Sequence, residues 1–320
     1  MKAKVIVAIA AMLLLADGMA QADTDTFGSG ANSFNIDFVP ISKATNPSSG
    51  YGIVANDYRM GTYEITNAQW TKFQAVYGTV TGDPATAYDS TPYFTGTDVP
   101  TNNVSWYEAA QFVNYLNTIT NNHVAYNFIG TIHTGDYALA VWGAGDADGT
   151  NLYRHKDAKY YLPTENEWVK AAYWNGTTST LQTYATKAGE SLTKGNGTSG
   201  TGWNYYNDKG YATNPAGPWN VGSGSEELNG TRDMMGNVYE WMENPFYSYT
   251  GYETGSLREA RGGMYGGDYA DLTSFSWAAS LPSSENSFFG FRVASEVPEP
   301  ATLSLLALGG LAVIRRRRQR

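Results

Sequence analysis

Not one of the 320 residues is a cysteine. That absence removes disulfides from the devices that could hold the fold, and it removes thiolate nucleophiles and thiolate-bound metals from the available chemistry. Histidine is nearly missing as well. His123, His133 and His155 are the only three, with no H-x-x-x-H spacing, so a three-histidine metal site is not expected. No serine lies in a G-x-S-x-G elbow, which leaves a serine hydrolase unmotivated. Basic residues are few, 21 Lys and Arg against 30 Asp and Glu. Lys2, Lys4, Arg315 to Arg318 and Arg320 sit at the two ends, so the body is more acidic than the net charge of −9 states. A phosphate backbone rewards the opposite sign, and nucleic acid is not an expected partner. Fixed-period repeats and Pro/Ser-rich linkers are absent too. What remains between the ends is about 275 residues, enough for one large domain.

The ends read as addresses. Lys2 and Lys4 precede an apolar run from Val5 to Leu15, and Ala20-Gln21-Ala22 has the small-x-small form of a cleavage site. Residues 1–22 are thus expected to be a secretory signal peptide. At the other end Val297-Pro298-Glu299-Pro300 leads into an apolar run, Ala301 to Ile314, and then the arginine block. That run is shorter than the ~20 residues a helix needs to cross a bilayer, and the arginines would stay on the cytoplasmic side. Pro-Glu-Pro, a short span and a terminal Arg cluster, in this order, resemble the PEP-CTERM sorting tail of Gram-negative bacteria. The resemblance implies that 297–320 holds the protein transiently at the membrane through a short transmembrane segment. It also implies an exosortase-type processing protease as partner, and delivery to the cell envelope or extracellular matrix.

Aromatic residues are what the body has in quantity: 24 Tyr, 12 Phe and 9 Trp. Without disulfides they are expected to supply the core in large units. Phe34 to Ile41 reads as a strand. Three helix starts share one device, since Thr66–Gln69, Ser105–Glu108 and Thr164–Glu167 each fit a capping box. Apolar residues then follow at helical spacing: Trp70, Phe73 and Tyr77; Trp106, Ala109, Ala110 and Val113; Trp168, Ala171 and Ala172. Pro163 precedes the third cap. Elsewhere short apolar runs are broken by turn signals such as Asn175-Gly176, Asn196-Gly197 and Asn229-Gly230. Few helices, short strands and long loops make an α+β fold. Asp146 to Asn151 looks like part of a calcium loop, but lacks an EF-hand's closing glutamate and reads better as an acidic turn.

Four ordered blocks carry a family resemblance: Tyr58 to Asn67 (YRMGTYEITN), Pro100 to Leu116 with NVSW, Tyr161 to Trp168 (YLPTENEW) and Asp233 to Trp241 (DMMGNVYEW). They are closed by Arg258 to Ala294, R-x-x-R-G-G to G-F-R-V-A. Together they resemble the formylglycine-generating enzyme (sulfatase-modifying factor) family. Tyr161 stands in the family's Arg place, and Tyr239 replaces the first Trp of its W-E-W. The resemblance implies a C-type-lectin-like α+β core over residues 58–296, entered through a polar segment at 23–57.

Structural Ca²⁺ is common in this family. Carried over, one site would use Asp233, the carbonyls of Gly236 and Val238, and Glu240, all hard oxygen donors of the kind calcium takes. The competing reading is that Glu240 pairs with a buried arginine such as Arg292. A second site would begin at Asn204 and the carbonyl of Tyr205. The family's enzymes oxidise a substrate cysteine with copper on two thiolates, and those positions here are Gly267 and Leu272. Met264 stands where the family has a serine after its Gly-Gly pair. No copper and no catalytic residue are therefore expected. The expected function is a non-catalytic binding or structural module of the cell surface or matrix, with exopolysaccharide or a surface protein as partner. The alternative is an oxidoreductase of the family with divergent chemistry.

Overall fold

The structure, a computed structural model, describes residues 23–246 and 251–297. The expected signal peptide and the sorting segment from Pro298 onward lie outside these residues. Nine strands build its two larger sheets: β1 (Asp23–Phe27), β2 (Phe34–Ile41), β3 (Tyr58–Gly61), β4 (Tyr160–Tyr161), β5 (Tyr239–Pro245), β6 (Arg258–Arg261), β7 (Ala278–Ser280), β8 (Phe289–Gly290) and β9 (Ala294–Glu296). The first sheet is antiparallel in the order β1-β2-β3-β9-β4. The second runs β7-β6-β5-β8, with only the β5–β8 pair parallel. Short ribbons, such as Asn127–Ile129 with Ala138–Ala140, complete the loops.

The sequence dictates the helices in plain physical terms. At α1 (Asn67–Tyr77), α2 (Trp106–Ile119) and α3 (Glu165–Tyr173) the hydroxyl of Thr66, Ser105 or Thr164 accepts from the third backbone N–H. The side chain of Gln69, Glu108 or Glu167 reaches back to the cap's own N–H. Each box satisfies two N–H groups that a helix start otherwise leaves unpaired. Helix α2 is buried from Trp106 through Asn117, as a helix with apolar residues around much of its circumference must be. It packs on α1 through Phe112 stacked against Trp70, at 5.9 Å between ring centres.

One continuous core joins both sheets and all three helices. Trp106, Trp168 and Trp241 are fully buried, and each indole N–H finds an acceptor: Met242 O, a Glu240 oxygen and Val104 O. Burying one such ring removes enough apolar surface to contribute roughly 2–3 kcal/mol, so the aromatic core supplies stability to which no disulfide contributes. Among the described residues no helix is long and apolar enough to cross a membrane.

Candidate functional site

Two loops interlock at one end of the second sheet. The Gly236 N–H donates to the Gly262 carbonyl at 2.7 Å, and the Tyr265 N–H donates to the Asn237 carbonyl at 2.9 Å. The Asp233–Val238 loop is thus stitched to the Arg-Gly-Gly turn that follows β6. Gly236 is required here: its φ is +84°, and a Cβ would stand 2.1 Å from the Asn204 carbonyl oxygen. Asn237, also left-handed at φ 62°, is the hub. Its amide donates to Glu64 Oε1 at 3.0 Å, while its Oδ1 accepts from the Trp219 N–H at 2.7 Å and the Asn204 amide at 3.1 Å.

The carboxylates expected as calcium ligands are already engaged. Glu240 is fully buried, and its oxygens accept from Arg292 Nε at 2.5 Å, Arg292 Nη2 at 2.6 Å and Trp168 Nε1 at 2.8 Å. Arg292 spends its remaining N–H groups on the carbonyls of Gly61, Thr62 and Arg232. Asp233 accepts from the N–H groups of Gly222 at 2.5 Å and Gly224 at 3.2 Å. In this structure the partner of Glu240 is a guanidinium, the other role its sequence allowed, and a divalent cation beside that guanidinium would be repelled. The set Asp233, Gly236, Val238 and Glu240 does not fit calcium in this arrangement. Asn204 differs. It is buried, its amide donates to the Gly217 carbonyl and to Asn237, and its Oδ1 has no donor. An oxygen left so, next to Tyr205, fits a cation better than the glutamate does.

Around the same hub burial crowds carboxyl groups. Glu64, Glu227 and Asp233 are all pushed up by desolvation, Glu227 to about 8, with Arg292 opposing the shift in each case. Neighbouring negative charges raise Glu64 further.

The two positions implied for copper have other work. Gly267 closes a turn, its N–H donating to Met264 O at 2.9 Å and its carbonyl accepting from Tyr206 N at 2.7 Å. A Cβ at Gly267 would lie 2.6 Å from Asp271 Oδ2, so the Asp271 carboxylate fills the space a side chain would take. That same oxygen accepts from the Asp268 N–H at 3.2 Å. Leu272 is a core residue with no exposed surface, its methyl lying where a Cβ on Gly263 would come within 2.7 Å. Met264 turns its sulfur onto the Gly266 N–H at 2.9 Å. The Tyr239 hydroxyl is pushed up to about 12 by burial and by Asp271 and Asp268, and stays protonated at neutral pH.

Beside this turn opens a cleft of about 750 Å³. Tyr184, Tyr205, Tyr206 and Tyr269 supply its rings, Thr186, Ser191 and Asn207 its neutral polar groups, and Glu190, Asp208 and Asp268 its charge. Among the described residues none of the lining side chains is basic. Tyr206 meets Tyr211 edge-on at 5.1 Å. Tyr211 in turn lines a second hollow, of about 440 Å³, with Tyr93, Phe94 and Tyr265. Tyr93, Tyr269 and Tyr211 are 70%, 59% and 50% exposed, well beyond what a core needs.

With this geometry in view, the comparisons with known proteins are decisive for the family. The sulfatase-modifying factor enzyme 1-like domain family matches residues 2–297. The chain belongs to this family. A PEP-CTERM protein-sorting motif matches residues 296–318, so the sulfatase-modifying-factor-like domain carries the sorting motif of proteins exported to the cell envelope of Gram-negative bacteria. The hercynine oxygenase of Mycobacterium tuberculosis (strain ATCC 25618 / H37Rv) is 30% identical over 117 residues, 37% of this chain. The match spans only a quarter, 25%, of that relative's length. Among solved structures, Treponema denticola variable protein 1 superposes with a TM-score of 0.58 at 21% identity, covering 86% of this chain and 99% of its own. CarF gives 0.56 at 21%, covering 82% and 99%. PvdO from Pseudomonas aeruginosa gives 0.53 at 17%, covering 85% and 98%. At these identities the three show the fold alone, and it is the α+β fold of the formylglycine-generating type.

Within the sulfatase-modifying-factor-like domain, Tyr161 shows how a departure from the family pattern is accommodated. The guanidinium of Arg154 lies 3.5 Å over its ring and pairs with Glu167 at 2.9 Å and Glu243 at 2.7 Å. Asp146 to Asn151 forms the turn of a small hairpin, Ala147–Asp148 with Asn151–His155. His123 and His155 stack at 4.5 Å, whereas His133 binds the Thr79 carbonyl against the Tyr77 ring. The tyrosine cleft was missed from sequence because its residues come from three loops with no shared motif. Asn237 sat inside a recognised block, and its left-handed Gly-Asn pair was the available signal.

Proposed function

We propose that this domain is a binding module of the cell envelope, and that the tyrosine cleft beside the Met264–Gly267 turn holds a glycan. The observation that carries this reading is a substitution of roles at one place. The family's copper positions are a backbone turn and a core leucine, while the adjoining surface is an open cleft of exposed rings, hydroxyls and carboxylates. Tyrosine offers a flat apolar face with a polar rim, which suits a sugar ring whose axial C–H groups face one way and whose hydroxyls face outward. A sorting motif of exported proteins fits a ligand met outside the cytoplasm.

The second reading, an oxidoreductase with divergent chemistry, draws on the hercynine oxygenase match. That protein's name describes an oxygenase, and the stretch shared with it is a quarter of its length. Structural calcium belongs to the proposal only at Asn204 and Tyr205, on the strength of the buried Asn204 Oδ1. Exosortase processing and a short membrane stay before release complete the reading.

The test is titration of the purified chain with neutral, amine-bearing and acidic oligosaccharides, followed by intrinsic fluorescence and calorimetry. Saturable binding that weakens in Tyr269→Ala supports the module; binding to none of a broad panel removes it.

A further inference from the structure

Charge in the cleft narrows the ligand. Three carboxylates, Glu190, Asp208 and Asp268, face the same space as four tyrosine rings. The groups are mutual neighbours: Tyr269 and Asp268 both act on the Tyr184 hydroxyl, and Tyr184 acts on that of Tyr205. Carboxylates with aromatic faces and no basic partner form a lining that an anion avoids and an organic ammonium seeks. The rings attract the cation through their negative faces and the carboxylates through its charge. An acidic polysaccharide, rich in uronate or sulfate, would meet repulsion from all three.

We propose that the cleft recognises an amine-bearing glycan, a polymer of partly de-N-acetylated amino sugars, with the sugar ammonium between Asp208 and Asp268 and the sugar face on Tyr269. This rests on the glycan reading above and names the class of glycan. The adjoining hollow suits a chain rather than a single sugar, because Tyr206 of the cleft and Tyr211 of the hollow meet edge-on. A basic peptide is the competing occupant by charge. It is the weaker fit, since the lining residues lie in loops and present no strand edge on which a peptide backbone could add.

A matched pair of probes tests this: the hexamer of glucosamine and the hexamer of N-acetylglucosamine, which differ in the charge on each ring. They are titrated into the full-length chain at mildly acidic pH, beside a galacturonate hexamer and hexalysine. The glucosamine hexamer should bind roughly tenfold tighter than the acetylated one, the effect of one or two partly exposed charge pairs. Asp208→Asn with Asp268→Asn should erase that difference; asparagine at 268 can still accept from the Ala270 N–H, at 2.7 Å, so the turn is kept. Tyr269→Ala, at an exposed position, should weaken both hexamers. Equal binding of the two, or tighter binding of galacturonate, overturns the ammonium inference and leaves the glycan reading standing. Binding of hexalysine alone, or of no probe, overturns both.

Discussion

Replacing Glu240 by glutamine separates the two roles that its place in the sequence allowed. In the structure Arg292 is wholly buried, with its five N–H groups satisfied by Glu240 and by the carbonyls of Gly61, Thr62 and Arg232. Glutamine keeps the shape but removes the charge, and its amide nitrogen would face a guanidinium donor. Uncompensated burial of one partner of such a pair costs about 3–5 kcal/mol. For a chain of this size each kcal/mol shifts the melting temperature by roughly 2–4 °C, so Glu240→Gln should melt about 6–20 °C lower. The loss should be the same in calcium and in chelator, because the lost partner is an arginine. Differential scanning calorimetry in both buffers, backed by urea titration, reads this directly. A loss below about 1 kcal/mol would refute the ion-pair account, since a buried charge cannot lose its partner so cheaply. A loss seen only in calcium would refute it too, and return Glu240 to the role of a cation ligand.

Three further outcomes are expected, two from the geometry and one from the sorting motif. Glu64, Glu227 and Asp233 bind protons more tightly folded than unfolded, so their contribution is fully present below about pH 4, the unfolded value. It is lost as pH rises through the raised folded values, which burial sets at about 8 for Glu227 and above the usual carboxylate range for Glu64 and Asp233. Melting temperature measured from pH 5 to 9 should fall, and Glu227→Gln should flatten that slope. Gly236→Ala should destabilise by at least about 1–3 kcal/mol, from a left-handed φ combined with a Cβ pressed on the Asn204 carbonyl; an unchanged urea midpoint would contradict the loop geometry. Deleting residues 301–320 should release the protein from membrane fractions, and intact-mass analysis of exported protein should show the tail missing. Retention of Arg320 would oppose the exosortase reading.

The fold was legible where local chemistry decides it. The three capping boxes announced α1, α2 and α3, and the strand read at Phe34–Ile41 is β2 with the same bounds. At the site, the departure from the family pattern was legible in Gly267 and Leu272, whose side chains carry no ligand atom. It was less legible in its gains. Oxygen donors spaced for calcium and a carboxylate spaced for Arg292 look alike in sequence, because residue 292 reaches Glu240 only through the parallel pairing of β5 with β8. That Asp271 fills the space beside Gly267 depends on a turn four residues long. The cleft depends on three loops, around 184–192, 205–208 and 268–269, brought together by the whole core. No periodicity or spacing encodes such a meeting.

The proposed binding module is a member of this family that should not oxidise a cysteine substrate. The most direct measurement incubates the purified chain with copper, a thiol reductant, O₂ and a Cys-x-Pro-x-Arg peptide, and reads peptide mass against a no-protein control. With a glycine turn and a buried leucine at the copper positions, the account predicts an unchanged peptide. A mass shift matching conversion of the cysteine to the aldehyde, above the control, would contradict it.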